Sequence, residues 1–258
     1  MSTLTYAVSD TLVLAKRSLY RIRRQPDLLV GFTIQPIMFV LLFAYVFGGA
    51  IATPGFDNYI DFLLPGIIVQ SMVFGGFVTA LGLSEDLKKG LIDRFRSLPM
   101  WGPAVLTGRI LADVGSNAIQ LVVMFAVGFA IGFRFSSGAP EVVAGIALVF
   151  LIGYAFSWVF AFIGLTASSP EAANAYGFTI LFPITFISSA FVPVESMPDW
   201  LQPFAEHNPF SAMVDAVRAL FLGTPAGNSV WLAVVWSLAI VAVFAPLSAW
   251  RYRRSVTR

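Results

Sequence analysis

The chain has 258 residues, 58% of them hydrophobic and only 12% charged, and its mean hydropathy is +0.82. Soluble domains carry about 25% charged residues, so 16 basic and 14 acidic side chains cannot solvate a globular surface of this size. A soluble enzyme, a disordered chain and a nucleic-acid module are excluded, and the expected class is an all-α polytopic membrane protein.

The net charge is +2, there are no cysteines, and His207 is the single histidine. Disulfides, thiolate metal ligands and cysteine nucleophiles are thereby removed, and no metal site or histidine acid–base centre is expected. The first apolar run begins near Leu28, behind a basic stretch, which is too far in for a signal peptide.

Residues 1–27 read as an amphipathic N-terminal helix. Val8, Leu12, Ala15, Leu19 and Ile22 recur at helical spacing, and Lys16, Arg17, Arg21, Arg23 and Arg24 fill much of the remainder. Pro26 separates this helix from the first apolar run. Such a helix lies along the membrane surface, either as an anchor drawn to anionic lipid or as a surface that also contacts a cytoplasmic partner.

A bilayer core takes about 20 apolar residues as a helix. Runs of that kind fall at Leu28–Phe47 and Ile60–Leu83 (the 28–83 region), at Ala104–Phe133, Val142–Ala167 and Ala172–Val192 (104–192), and at Val230–Trp250 (229–250). They are continuously apolar, which argues for helices over a β-barrel. Six transmembrane helices are therefore expected, the fourth and fifth separated only by Ser168-Ser169-Pro170-Glu171.

Fourteen of the 16 basic residues fall in three segments: the N-terminal helix, the loop after span two together with Arg109, and the tail 251–258 with Arg251, Arg253, Arg254 and Arg258. The positive-inside rule places these, and both termini, in the cytoplasm. Arg134 and Arg218 fall on the other side. Arg109 and Asp113, spaced i, i+4, are expected to pair on one helix face, with the start of span three protruding about two turns below the membrane. Pro36, Pro65, Pro183 and Pro246 fall inside spans and are expected to kink them.

Residues 84–103 are longer than a connector needs. Over Leu83–Pro99, the residues Leu83, Leu87, Leu91, Phe95 and Leu98 form one stripe of an expected amphipathic helix; Glu85, Asp86, Lys88, Lys89, Asp93, Arg94 and Arg96 fill the opposite side, with Gly90 between. The mixed charge suits docking on a complementary protein surface as well as a plain solvated face. Residues 193–228 hold two short amphipathic segments around Trp200 and Met213. Asn208-Pro209 supplies an N-cap and first-turn proline for the second, Asp215 and Arg218 pair at i, i+3, and Gly223 and Pro225 stop it. These segments either rest on the outer interface or re-enter the membrane as a plug.

No P-loop, no Gly-x-Ser-x-Gly elbow and no His-Glu-x-x-His pair occurs, so the chain carries no catalytic residues for ATP hydrolysis or hydrolytic chemistry. Ionisable residues are nearly missing from the span centres, which disfavours a proton or sodium relay.

Three stretches resemble the membrane subunit of type-2 ATP-binding-cassette transporters, most closely the daunorubicin-resistance permease branch. They are Arg21-Ile22-Arg23-Arg24-Gln25-Pro26; the run from Asp86 and Gly90 through Arg94-Phe95-Arg96-Ser97-Leu98-Pro99 to Gly108-Arg109 and Asp113; and Phe191 to Leu201 followed by Asn208-Pro209, Asp215, Arg218 and Gly223. The resemblance implies one six-span transmembrane domain over 1–258, with an interface helix, a cytoplasmic coupling helix and an extracellular re-entrant helix pair. It implies a second permease, identical or homologous, and two cytoplasmic ATPase subunits that bind ATP and magnesium. The coupling helix would contact the ATPase through Leu83, Glu85, Asp86, Leu87, Lys88, Lys89, Gly90, Leu91, Asp93, Arg94, Phe95 and Arg96. The expected activity is export of amphipathic drugs or lipid-like molecules across a bacterial cytoplasmic membrane. A path past Phe39, Phe43, Phe182, Phe186 and Phe191, gated outside by Met197 and Trp200, would tolerate hydrophobic cargo; the same residues also suit packing or lipid contact. A permease for lipid-linked glycan and a membrane scaffold or receptor without transport remain the alternatives.

Overall fold

The structure is a computed structural model that describes residues 11, 13–16, 26–51, 53, 55–56, 58–91 and 104–254. Among the described residues all regular structure is helical. The helices are α1 (Pro26–Leu42), α2 (Tyr59–Gly75), α3 (Phe77–Lys88), α4 (Ala104–Ala130), α5 (Ala139–Thr166), α6 (Pro170–Phe186), α7 (Gln202–His207), α8 (Pro209–Leu222) and α9 (Ser229–Arg254). A π-helical turn, Phe43–Phe47, extends α1, and a 3-10 turn, Val194–Ser196, precedes α7. Arg17, Arg21, Arg23, Arg24, Asp93, Arg94, Phe95 and Arg96 lie outside the described residues.

Four helical runs are long and apolar enough to cross a membrane: Tyr59–Lys88, which joins α2 and α3, then α4, α5 and α9. The apolar run Ile34–Phe47 is shorter. Helix α6 has 17 residues and ends at Phe186, short of the expected Val192. Its end is set by side chains: Asn208 Nδ2 donates to the carbonyls of Ile184 at 2.7 Å and Ile187 at 2.6 Å, which a continuing helix would have used itself.

The breaks between elements follow from local chemistry. Ser169 caps α6, its Oγ accepting from the Ala172 amide at 3.2 Å, and Pro170 takes the first helical position. That short turn separates α5 from α6. Asn208 caps α8 by accepting from the Phe210 amide at 2.9 Å, and Gly223 closes it in the left-handed region with φ 70°.

The expected single amphipathic helix from Leu83 is corrected. Leu83, Glu85, Asp86, Leu87 and Lys88 form the last turns of α3, continuous with the span, and Gly90 breaks the helix with φ +64°. Its amide donates to the Leu87 carbonyl at 3.0 Å, and the Lys89 amide to that of Glu85 at 2.9 Å. A glycine is placed where only a residue without Cβ turns left-handed at low cost. The face is also rotated, because Asp86 points inward and is buried.

Helix α5 is apolar on every side and is the hub, packing against α2, α3, α4, α6, α8 and α9. Helix α9 is the opposite case, with only 11% of its most apolar stretch buried. Its exposed Trp231 and Trp250 are 19 residues apart, or about 28 Å at 1.5 Å per residue. That matches a hydrocarbon core of about 30 Å with a tryptophan at each interface. At the far end the Arg254 guanidinium stacks 4.4 Å from the Trp250 ring.

Candidate transport path and coupling corner

The five predicted path phenylalanines come from two segments distant in sequence, and the fold gathers them into one cluster. Phe39 lies on α1 and Phe43 on its π-helical extension; Phe182 and Phe186 lie on α6, and Phe191 in the turn after it. Ring centroids are 4.9 Å apart for Phe43 and Phe191, 4.8 Å for Phe186 and Phe191, 4.2 Å for Phe182 and Phe186, and 6.4 Å for Phe39 and Phe191. Phe191 is held from behind, where the Tyr59 hydroxyl donates to its carbonyl at 2.7 Å.

Beside this cluster a cleft opens between α1, α2, α4 and α6, walled by Phe39, Phe74, Phe178, Phe182 and Phe186 and by the polar side chains of Gln35, Gln70, Ser71 and Gln120. Gln70 is buried and donates through Nε2 to Thr185 Oγ1 at 3.3 Å. The cleft holds only about 30 Å³, room for a water or two and not for a drug-sized molecule, so in this state it is a closed lining of aromatic rings and amides. Sequence reasoning missed Gln70 and Gln120. The signal was there, two amides inside otherwise apolar runs, but uncharged residues were not weighed.

Met197 and Trp200 stand apart from this cleft. Met197 is buried in the turn before α7, its carbonyl accepting from Gln202 Nε2 at 2.9 Å, whereas Trp200 is exposed.

At the end of the bundle where α2 begins, Arg218 of α8 ties three segments together. Its Nη1 donates to Asp215 Oδ1 at 2.7 Å, its Nε to the Phe62 carbonyl at 3.1 Å and its Nη2 to the Ser189 carbonyl at 2.8 Å. The guanidinium also lies 3.8 Å from the centre of the Phe62 ring. Ser189 Oγ donates to the same Asp215 oxygen at 2.7 Å. The expected Asp215–Arg218 pair is present. A cleft of about 740 Å³ opens beside it, lined in part by Phe56, Glu195, Glu206 and Thr224.

The other end of the α2–α3 run carries a second charged corner, about 36 Å from Phe62 along the helix at 1.5 Å per residue. Here the expected pair is corrected. Arg109 does not bond Asp113 but reaches across to α3, where Nη1 donates to Asp86 Oδ2 at 3.1 Å and Nη2 to the Val78 carbonyl at 3.1 Å. Both side chains are nearly buried, at 11% and 7% exposure. The interhelical partner wins because α3 passes close by at Gly82, where any Cβ would collide with the guanidinium. Leu83, Leu106, Ile110, Trp158, Leu165 and Tyr252 pack around this corner.

The described part of the N-terminal segment meets the same place. Thr11 Oγ1 lies 3.3 Å from Thr107 Oγ1, and Gly108 lets Leu14 and Ala15 approach α4. Lys16 and Lys89 are exposed, and Lys89 pairs with the half-buried Glu85 at i, i+4, 3.3 Å away. Such a pair near the surface adds little stability. Thus two predicted cytoplasmic segments converge on the first turns of α4, next to Arg109.

Residues 9–222 match the family model described as ABC-2 type transporter. The daunorubicin resistance ABC transporter permease protein DrrB1 of Streptomyces coeruleorubidus is 38% identical over 247 residues, covering 96% of this chain and 87% of that protein. The probable doxorubicin resistance ABC transporter permease protein DrrC of Mycobacterium tuberculosis is 28% identical over 250 residues, 97% of this chain and 90% of its own length. The putative transport permease ycf38 of Cyanophora paradoxa is 24% identical, covering 88% of this chain and 77% of that protein. With this family match and these apolar spans, the chain belongs to the ABC-2 type transporter family as a multi-pass permease subunit of the plasma membrane.

Proposed function

We propose that this permease exports amphipathic drug-like or lipid-like molecules, with ATP hydrolysed on two separate cytoplasmic subunits and a second permease, identical or related, completing the path. The observation that carries the reading is the match along nearly the whole chain to permeases named for daunorubicin and doxorubicin resistance, with the narrow cleft of about 30 Å³ between Phe39, Phe182, Phe186, Gln70 and Gln120 as the lining proposed for the path. That lining offers aromatic stacking with a few amide contacts and no fixed charge, which suits varied planar cargo. The relatives named for daunorubicin and doxorubicin resistance support that class of cargo.

The six-span topology uses α1 with its π-helical turn, the α2–α3 run, α4, α5, α6 and α9, with both termini cytoplasmic. Lys88, Lys89 and Arg109 near the ends of α3 and α4, and Arg251, Arg253 and Arg254 in the last turn of α9, support that sidedness. Helices α7 and α8 form the re-entrant pair. Helix α8 has 14 residues, about 21 Å, too short to cross a core of about 30 Å. Its Phe210, Met213, Val214, Val217 and Phe221 are nonetheless buried within the bundle.

The ATPase docks on Leu83–Leu91 and the segment that follows, and on the N-terminal helix, so its movement enters the permease at the α3–α4 corner. A docked ATPase drives transport only if it binds the inward- and outward-open states unequally. The test is daunorubicin accumulation in cells expressing the permease with its ATPase. Wild type lowers accumulation, and Phe182→Ala with Phe186→Ala restores it while leaving the complex assembled. Wild-type export that survives loss of both rings overturns the assignment of the path. Unchanged accumulation with assembled wild-type complex overturns the cargo class and favours a lipid-linked glycan.

A further inference from the structure

The last turn of α9 concentrates positive charge at the edge of an otherwise apolar, outward-facing helix. Its exposed residues Leu232, Trp236, Val243, Leu247, Trp250 and Arg254 recur at helical spacing and form one face, while Ala233, Ser237, Ser248 and Tyr252 turn toward the bundle. The apolar face therefore ends on a tryptophan and a guanidinium. Because Arg254 stacks on the Trp250 ring, its N–H groups, which lie in the guanidinium plane, point sideways past the ring. Arg251, three residues back, stands about 60° round the helix from Arg254. It is half-buried, and its Nε is buried with no hydrogen-bond partner among the described residues. A buried donor left unpaired costs more than an ordinary hydrogen bond returns. Asp215 is the last acidic residue in the sequence, so α9 itself supplies no carboxylate to either arginine.

We propose that Arg251, Arg254 and Trp250 form a binding site for the headgroup of an anionic phospholipid, whose acyl chains lie along Leu247 and Val243. Trp250 marks the level of a membrane interface, where lipid phosphates sit. A phosphate there supplies the acceptor that Arg251 Nε lacks and pairs with the N–H edge of Arg254, and planar guanidinium donors match phosphate oxygens. Two cations side by side favour a headgroup whose phosphate is not offset by an ammonium of its own. The continuity of the site with the apolar face points to lipid rather than to a soluble protein, which could reach the tip of α9 but not Leu247 and Val243 inside the hydrocarbon. The bound lipid would brace α9, of which only 11% of the most apolar stretch is buried, against the α5 hub on which it packs. The proposal needs α9 to cross the bilayer and holds whichever side its end faces.

The chain has no native cysteine, so a single fluorophore can be placed at Leu247→Cys beside the site, or at Leu232→Cys near the other end of the same face. The full permease is reconstituted in phosphatidylcholine vesicles containing rising fractions of nitroxide-labelled phosphatidylglycerol or nitroxide-labelled phosphatidylcholine, and quenching is followed. The label at position 247 is expected to reach half-quenching at a lower fraction of phosphatidylglycerol than of phosphatidylcholine, and the label at position 232 to show no preference. Arg251→Gln and Arg254→Gln each lower that preference by up to about fivefold. Arg253→Gln makes the same charge change about 160° round the helix from Arg251 and leaves the preference in place. Unchanged quenching by phosphatidylcholine shows that each variant is folded and inserted. Equal half-quenching by the two lipids in the otherwise unaltered chain would overturn the site. An equal loss in all three glutamine variants would overturn it too, by assigning the attraction to diffuse charge. The preference persists when the ATPase subunit is added; its disappearance would assign the arginines to a protein contact and overturn the lipid reading.

Discussion

At the scale of single residues, the account turns on guanidinium groups and on glycines that make room for them. Gly82→Ala places a methyl in the space that the Arg109 guanidinium fills. The expected outcome is loss of the Arg109–Asp86 contact and of drug export, with little loss of protein, measured by accumulation assays against membrane abundance. Arg218→Met leaves the carbonyls of Phe62 and Ser189 without their donor. At about 1–3 kcal/mol for each buried polar group left unpaired, it lowers thermal stability in detergent well beyond a typical surface substitution. Asn208→Ala removes both the cap of α8 and the two bonds that end α6. Its cost therefore exceeds the ~1 kcal/mol of an ordinary N-cap, and thermal unfolding of the purified variant checks this.

At the scale of elements, the sequence made local features legible and long-range pairings illegible. Asn208-Pro209 and Gly223 bound α8 where the cap chemistry says they must, and Ser169-Pro170 opens α6 after a short turn. These are decided by neighbours within four residues. Arg109 and Asp113 also satisfied a local rule, yet the partner of Arg109 is Asp86, 23 residues away. An i, i+4 spacing says only that two side chains can meet; whether a third group from another helix gets there first depends on tertiary approach, here through Gly82. Gly90 carried a readable signal for a helix end inside the stripe from Leu83 to Leu98, but periodicity was allowed to override it. The five phenylalanines could be named as path candidates from their places in spans one and five. That Gln70 and Gln120 join them followed from helix rotation, which an apolar run on every face does not encode.

Taken as a whole, the permease has two charged corners at opposite ends of the α2–α3 run, with an aromatic cleft between α1, α2, α4 and α6. The Arg218 corner fastens α8 to α2 and to the turn carrying Phe191; the Arg109 corner fastens α3 to α4 where the N-terminal segment also arrives. This arrangement predicts sidedness. A membrane-impermeant thiol reagent applied to intact cells labels Trp200→Cys and spares Lys89→Cys until the membrane is opened. It also predicts where force enters. Reversing Lys88, Lys89 and Arg94 together to glutamate abolishes co-purification of the ATPase and transport, whereas unchanged binding and transport would remove these residues from the docking surface.

The central claim is that the chain is a gate moved by an ATPase on another polypeptide, and reconstitution tests it most directly. Permease and ATPase subunit are placed in vesicles, each alone and both together, and ATP-driven movement of daunorubicin is followed by its fluorescence. Movement and nucleotide hydrolysis coupled to it are expected only with both present. Nucleotide hydrolysis by the purified permease alone, or ATP-driven transport without the second subunit, would contradict the account.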